Sequence, residues 1–416
     1  MEFERLNNYY RGKRVLLTGH TGFKGSWMTV LLSLLGAEVY GYALQPPTKP
    51  SLFGLLYGED AGAETRQALW VREGAGGTIA DAKTAEAKAT EGSRIGLQES
   101  HIGDIRDFAA LEAFYQRVQP DIVFHLAAQP IVLESYRAPR ETYETNVMGT
   151  VNLLDCLRRH PGCRSFLNVT TDKVYRNEEK AGYGYREEDQ LDGYDPYSNS
   201  KSCSELVTHS YRSAFLEEAG VAVSTARAGN VIGGGDFAAD RILPDCVRAA
   251  ADGRSVHVRN PYSTRPYQHV LEPLVVYLTI AMLQAEDEKA GSQYAGWYNV
   301  GPDDCDCVTT GELVGLFAKH WGRGFCWEGP AGDASAVTAA PAAVKAGGSH
   351  PAQKAPHEAS FLKLDNTKVK RVLGWKPVWH IDEAVEATVA WSKAWLDGGA
   401  AAANAELLRQ VRAYFL

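Results

Sequence analysis

Residues 14–27, R-V-L-L-T-G-H-T-G-F-K-G-S-W, decide how the rest of the chain is to be read. Five residues suited to a buried strand run into Gly19, Gly22 and Gly25, and from there into an apolar stretch that predicts a helix over 22–35. Glycines at such a junction let the backbone turn tightly. They also let a pyrophosphate approach the free N–H groups and the positive dipole end of the helix. A glycine-rich loop alone is weak evidence, but one that follows a strand and opens a helix favours a dinucleotide site over a plain tight turn.

Outward from this loop, short aliphatic runs alternate with longer helical patterns. E-V-Y-G-Y (38–42) and D-I-V-F-H-L (121–126) lead to a helix over 142–159; F-L-N-V-T (166–170) precedes Y-S-N-S-K (197–201), which runs into a helix over 202–219 before V-A-V-S-T-A-R (221–227). This alternation predicts an α/β fold with a doubly wound parallel sheet, whose ligands sit at the carboxyl ends of the strands. After Arg227 comes a glycine-rich loop, A-G-N-V-I-G-G-G-D-F (228–237), then short mixed elements. The expected organisation is a dinucleotide-binding unit over 1–228 plus about 268–305, interleaved with a smaller substrate unit over 229–267 and 306–416. Two stretches read as insertions, 58–98 and 329–356. Their Ala, Gly and charge content predicts surface loops or disorder.

With 416 residues, 45% of them hydrophobic, the chain can bury a large core. A formal charge of -8 offers no general attraction for nucleic acid or an anionic membrane, so any anion site must be built locally. The N-terminal residues lack the basic flank and apolar run of a secretory signal, which predicts a cytoplasmic protein. Gly36 and Glu38 interrupt the most apolar stretch, 27–44, which therefore reads as core and not as a membrane span. The seven cysteines are scattered, and Cys305 with Cys307 lacks a second pair at zinc spacing, so free thiols and no metal are expected.

Two clusters carry candidate chemistry. Tyr197 and Lys201, four residues apart, share a helix face; such a pair is often solvated, but after a phosphate loop it is a candidate base with its supporting ammonium. T-T-D-K-V-Y (170–175) sets Asp172 beside Lys173 where an apolar strand surfaces, either a surface ion pair worth under about 1 kcal/mol or an acid beside a base. Asp104 could hold an adenine amino group, or it could cap the helix beginning near Phe108. The small residues of H-L-A-A-Q (125–129) would let a flat ring pack on backbone, or merely ease packing. Where an acid would grip a ribose, near Ala43, none stands, so that position does not separate NAD from NADP.

Together G-H-T-G-F-K-G, H-L-A-A-Q-P, T-D-K-V-Y, Y-D-P-Y-S-N-S-K, A-R-A-G-N-V-I-G-G-G-D and N-P-Y-S-T-R-P-Y-Q-H-V-L-E-P resemble the extended short-chain dehydrogenase/reductase family, and within it the CDP-glucose branch of the nucleotide-sugar 4,6-dehydratases. The resemblance spans nearly the whole chain apart from the two insertions. It implies a Rossmann-type fold, NAD as cofactor, CDP-glucose as substrate, and a homodimer formed through 142–159 and the helix after Tyr197. It also implies cofactor contacts at Gly19, Gly22, Phe23, Lys24, Gly25, Asp104, Ile105, Ala127, Ala128, Tyr197 and Lys201. Substrate contacts are implied at Gln129, Asn230, Arg241, Arg259 and Arg265. In the implied chemistry Tyr197 is the base for the C4 hydroxyl, Thr171 bonds the C4 oxygen and Asp172 is the acid for the C6 oxygen. Lys173 stands where the dTDP-glucose relatives carry Glu as C5 base; it serves as base if its ammonium is depressed, and otherwise orients Asp172 or stabilises the enolate. A nucleotide-sugar 4-epimerase, or a dehydratase for another nucleotide, would share the loop and the Tyr/Lys pair, and an epimerase would need no acid at Asp172. A dinucleotide-binding sensor without catalysis would usually lack the tyrosine or the lysine.

Overall fold

The computed structural model describes residues 2–58, 67–70, 94–286, 291–322, 324–329 and 361–416. Seven strands form one sheet: β1 Arg14–Thr18, β2 Glu38–Ala43, β3 Glu99–Ile102, β4 Ile122–His125, β5 Ser165–Thr171, β6 Ala222–Ala228 and β7 Trp297–Val300. Their order is β7-β6-β5-β4-β1-β2-β3, and every neighbouring pair is parallel. The chain thus leaves β1 toward one edge and then crosses β1 to build the other, the doubly wound order with a crevice at the reversal.

The helices that matter for the site are α1 Phe23–Leu34, α2 Phe108–Val118, α3 Gly149–Arg159, α4 Pro196–Tyr211, α5 Ile242–Ala251, α6 Leu271–Glu286, α7 Thr310–Trp321 and α8 Ile381–Phe415. Because helices cover both faces of the sheet, its strands are apolar on both. Val15 and Leu17 of β1 join one core with α1 and α6, while Leu16 joins a second with α2 and α3. The same alternation puts Phe166 of β5 in the second core and Leu167 and Val169 in the first; Phe166 and Val169 face opposite sides as period two requires. Helix α6 is buried on all sides from Leu271 to Gln284, and its near-uniform apolarity left no periodic signature in the sequence.

A third core gathers Ile232, Leu243 and Cys246 near α5 with Leu313, Val314 and Phe317 of α7 and Ile381 to Val389 of α8. Helix α8 then turns at Gly399, whose φ is 62°, and its last part returns Ala403, Leu407, Val411 and Tyr414 to the first core. The chain end therefore departs from the expected assignment of 306–416 to the smaller unit alone. Glu272 of α6 reinforces this return, accepting hydrogen bonds from the Val378 and Trp379 N–H groups and from the Tyr414 hydroxyl.

Other expectations shift in detail. The helix expected over 142–159 is three pieces, Pro139–Tyr143, a π-turn Glu144–Met148, and α3. Another π-turn, Arg212–Leu216, follows α4 inside the stretch expected as 202–219. The insertion expected as loop over 58–98 includes an antiparallel pair, Gln67–Trp70 with Arg94–Leu97, and Leu97 is buried against α1's core. Nearly all of the insertion expected at 329–356 lies outside the described residues. All seven cysteines are free, and no helix among the described residues is long and apolar enough to cross a membrane.

The loop Gly233–Gly235 lies against Trp27 and Trp391, and the Trp27 indole donates to the Gly234 carbonyl at 2.9 Å. A Cβ at Gly234 would fall 2.0 Å from the Trp391 ring. Gly234→Ala is therefore expected to destabilise the fold by about 1–3 kcal/mol through overpacking. Gly315→Ala, in α7 with nothing within 4 Å of the new Cβ, should instead stabilise by roughly 0.5–1 kcal/mol. Urea unfolding of the two variants checks the opposite signs.

Candidate active site

The strands nearest the crevice end side by side: Thr18 pairs with His125, and Thr171 with Ala228. Each terminus delivers a functional segment to the same edge of the sheet. After β1, the chain turns at Gly19, with φ of 76°, and a Cβ there would lie 2.7 Å from the Ala127 nitrogen. A Cβ at Gly25 would lie 2.1 Å from the Gly19 carbonyl oxygen, so both positions require glycine for the loop to close on α1. Gly22 stands at the N-cap of α1 with no side-chain cap, which leaves the helix's first N–H groups facing outward for an anion.

The segment after β4 is held from below. The Thr18 hydroxyl accepts from the Leu126 and Ala127 N–H groups at 3.2 Å and bonds the buried His125 ring at 2.8 Å. Asn146, 1% exposed and inside the π-turn, accepts from the Gln129 N–H at 2.8 Å and donates to the Gln129 carbonyl at 3.1 Å. Its amide also donates to Ser200 of α4 at 2.9 Å. Ala127 and Ala128 are thereby fixed over Gly19. Gln129 differs from the expectation of a substrate contact: its amide bonds Ile131 and Thr142, which makes it a brace of its own loop.

At the end of β5, Thr171 caps a 3-10 turn over Asp172–Val174. Asp172 is 0% exposed. Its Oδ1 accepts from the Thr171 hydroxyl at 2.9 Å and from Lys173 Nζ at 3.2 Å, whereas Oδ2 has no partner among the described residues. A buried carboxylate oxygen without a donor is costly until a hydroxyl is brought to it. Lys173 is part-exposed, so this pair is not the solvated surface pair of the bland reading.

Tyr197 and Lys201 descend from the start of α4, where Asp195 caps Ser198 and Pro196 occupies the first turn. Both are buried. Burial pushes the Tyr197 phenol up to about 12; a hydrogen bond with Thr171 and the Arg241 guanidinium oppose the rise, and the Asp172 carboxylate adds to it. Lys201, bonded through Nζ to the Val169 carbonyl at 3.1 Å, is lowered by burial to about 8, with Glu205 resisting. At Tyr197 desolvation outweighs these opposing effects.

The smaller unit closes the site. A Cβ at Gly229 would meet Asp172 Oδ2 at 3.1 Å and Pro266 at 2.7 Å, so the loop after β6 and the strand that carries Pro266 lie against the carboxylate. Arg265 is buried and donates to its neighbour Thr264's carbonyl. Arg241 pairs with Asp236 at 2.8 Å, and its charge reaches Tyr197 and Lys24. Lys24 is lowered to about 7 by burial, then by Arg241, Lys201 and Lys173, with Asp172 opposing. A chain of net charge -8 has gathered these cations at one crevice, the local anion site its composition required.

Some expected residues lie further out. Arg259 is exposed, and its charge acts on Asp245 of α5. Ile105 is buried against Gly149 and gives its carbonyl to Asn152. Asp104 does not cap α2, since Asp107 does so through the Ala110 N–H; Asp104 is held by Arg106, which keeps its carboxyl below the usual range. Phe23 lies 3.3 Å from where a Cβ at Gly233 would stand, at the seam between the units. Away from the crevice, Cys305, Asp306 and His380 offer donor atoms within 4.8 Å of one another, but Asp306 is engaged there in holding His380 and the Ile381 N–H. Asn146, Ser200, Glu205 and Arg227 are buried parts of the site that sequence reading missed, because a lone polar residue in a helix or strand pattern carries no signal of its partner.

A family model described as GDP-mannose 4,6 dehydratase matches residues 77–388. The CDP-glucose 4,6-dehydratase of Salmonella typhimurium is 41% identical over 94% of this chain and 93% of its own length. Among solved structures, a dTDP-glucose 4,6-dehydratase from Streptomyces venezuelae with NAD bound superposes with a TM-score of 0.63 at 22% identity, covering 91% of this chain and 97% of that one. A UDP-glucose 4-epimerase from Thermotoga maritima with UDP-glucose reaches 0.64 at 19% identity, covering 92% and 99%.

Asn146→Ala removes both backbone ties of Gln129 and the link to α4. It is expected to cost about 1–3 kcal/mol for the buried groups left unpaired. A lowered melting temperature together with a raised Kd for NAD, measured by calorimetry, is the expected result.

Proposed function

Because the chain belongs to the GDP-mannose 4,6-dehydratase family, we propose that it converts CDP-glucose to CDP-4-keto-6-deoxyglucose with release of water, using NAD that is regenerated in each turnover. The observation that carries this reading is the buried Asp172, one oxygen held by Thr171 and Lys173 and the other without a donor, beside Tyr197. An epimerase has no use for an acid there.

The residues fit NAD. The glycine turn admits no side chain at Gly19 or Gly25, the start of α1 has no side-chain cap, and small residues of the 126–128 segment face the turn. When bound, NAD supplies an acceptor that takes hydride from C4 and later returns it to C6. The chain's own groups do the rest. Tyr197 Oη takes the C4 hydroxyl proton while Thr171 holds that oxygen, and the resulting ketone acidifies C5–H. Asp172 gives a proton to the C6 oxygen as it leaves as water. We assign the C5 proton to Lys173, the titratable side chain hydrogen-bonded to Asp172. Lys173, after exchange with solvent, gives a proton to C5 when C6 is reduced, and the proton lost by Asp172 is balanced by the one Tyr197 took. In this reading Asn230, Arg241 and Arg265 hold the diphosphate, where a guanidinium grips two oxygens at once.

The reading extends to a homodimer built on α3 and α4. Met148 just before α3, Leu206 of α4 and Phe215 just after α4 are exposed apolar side chains, 50%, 53% and 44% accessible, which support this reading.

Incubation with CDP-glucose in deuterated water should yield a product lighter by one water and carrying one deuteron at C5. Unchanged CDP-glucose alongside conversion of another nucleotide sugar would discard the substrate, and no conversion at all would favour a sensor. Lys173→Met should leave C4 oxidation visible at 340 nm and stop elimination; full turnover by this variant would remove Lys173 from the chemistry.

A further inference from the structure

Behind the catalytic strand lies a buried ion pair. Glu205 of α4 and Arg227 of β6 are 0% and 1% exposed and meet at 2.9 Å. Beyond Arg227, the Glu205 carboxylate accepts from the Thr170 hydroxyl and, at 2.7 Å, from the Thr225 hydroxyl. Arg227 also donates to the Tyr175 hydroxyl at 2.8 Å and to the Glu187 carbonyl at 3.0 Å. Tyr175 passes the chain on to Asn299 of β7 at 2.6 Å. Burial pushes the Glu205 carboxyl up, but Arg227, His209 and Thr170 outweigh it and hold it well below the usual range.

Thr170 and Tyr175 bracket the segment 171–174 that carries Thr171, Asp172 and Lys173. One residue before this segment and one after it are thus tied to the same ion pair. Glu205 also lies one turn beyond Lys201 and two beyond Tyr197, so one carboxylate sets the spacing between helix and strand end. Tyr197 and Lys201 have further ties through Lys201 to Val169 and Ser200 to Asn146. The Asp172 carboxylate is tied through Oδ1 to Thr171 and Lys173 of its own segment, and Oδ2 has no partner among the described residues, so its aim moves with that segment.

We propose that the Glu205–Arg227 pair, acting through Thr170 and Tyr175, is the positioning device for Asp172 and Lys173, and that it governs elimination across C5–C6 more than oxidation at C4. This rests on the dehydratase reading. Isolated buried pairs are poor sources of net stability, whereas a pair that fixes one geometry has a reason to be kept. A displacement of about 1 Å at a reacting group can cost roughly 100-fold in rate.

The test uses Tyr175→Phe and Thr170→Val, which cut the two brackets without leaving a buried charge unpaired, with Thr170→Ser as the conservative rescue. With CDP-glucose and NAD, each cut variant should lose roughly 10- to 100-fold in kcat with KM within about twofold of the wild type. Absorbance at 340 nm should accumulate, because C4 oxidation continues while water loss slows; Thr170→Ser should restore both readouts. A wild type that loses no water from CDP-glucose would overturn the functional reading and this proposal together. A competent wild type whose cut variants keep full kcat, or lose product and the 340 nm transient in equal measure, would overturn the proposal alone.

Discussion

The closest approach in the site is between Gly25 and the carbonyl of Gly19, where a Cβ would come within 2.1 Å of the oxygen. That contact lets α1 start immediately beyond β1 and point its first N–H groups into the crevice. Because Gly19 also packs under Ala127, the same turn sets how near β4's exit segment can come. The exits of β5 and β6, with Asp172 and Gly229, then fall into line through the parallel register of the sheet. A larger side chain at either glycine would separate the phosphate end of the site from its chemical end.

Electrostatics divides the crevice into two layers. In the crevice, burial depresses Lys24, and the nearby charges of Arg241, Lys201 and Lys173 add to this while Asp172 opposes it. Beneath the strand, Glu205 and Arg227 neutralise each other out of water's reach. An acidic chain can thus present a cationic floor to a nucleotide diphosphate without general affinity for polyanions.

Much of this was legible in sequence, for physical reasons that also explain what was not. The strands at 14–18, 122–125 and 165–171 announced themselves because both faces are buried, and the glycine turn because few residues can make it. Tyr197 and Lys201 became readable from their spacing only once that turn was recognised. Asp107 took the cap for which Asp104 was a candidate, since a carboxylate two residues from an arginine can be claimed by it first. The π-turn that aims Asn146 has no spacing signature, being a single inserted residue in a helical pattern. Glu205 gave no signal in the sequence because its partner lies 22 residues away on a strand.

Helix α8 gives Ile381 to Val389 to the core of the smaller unit and, from Trp391 on, side chains on both sides of the break at Gly399 to the core of the larger. The two units are therefore joined by a lever with one soft joint as well as by the chain crossings between them. One carboxylate, Glu272 of α6, takes hydrogen bonds from Trp379 just before this helix and from Tyr414 near its end, so both ends of the helix are anchored to the larger unit.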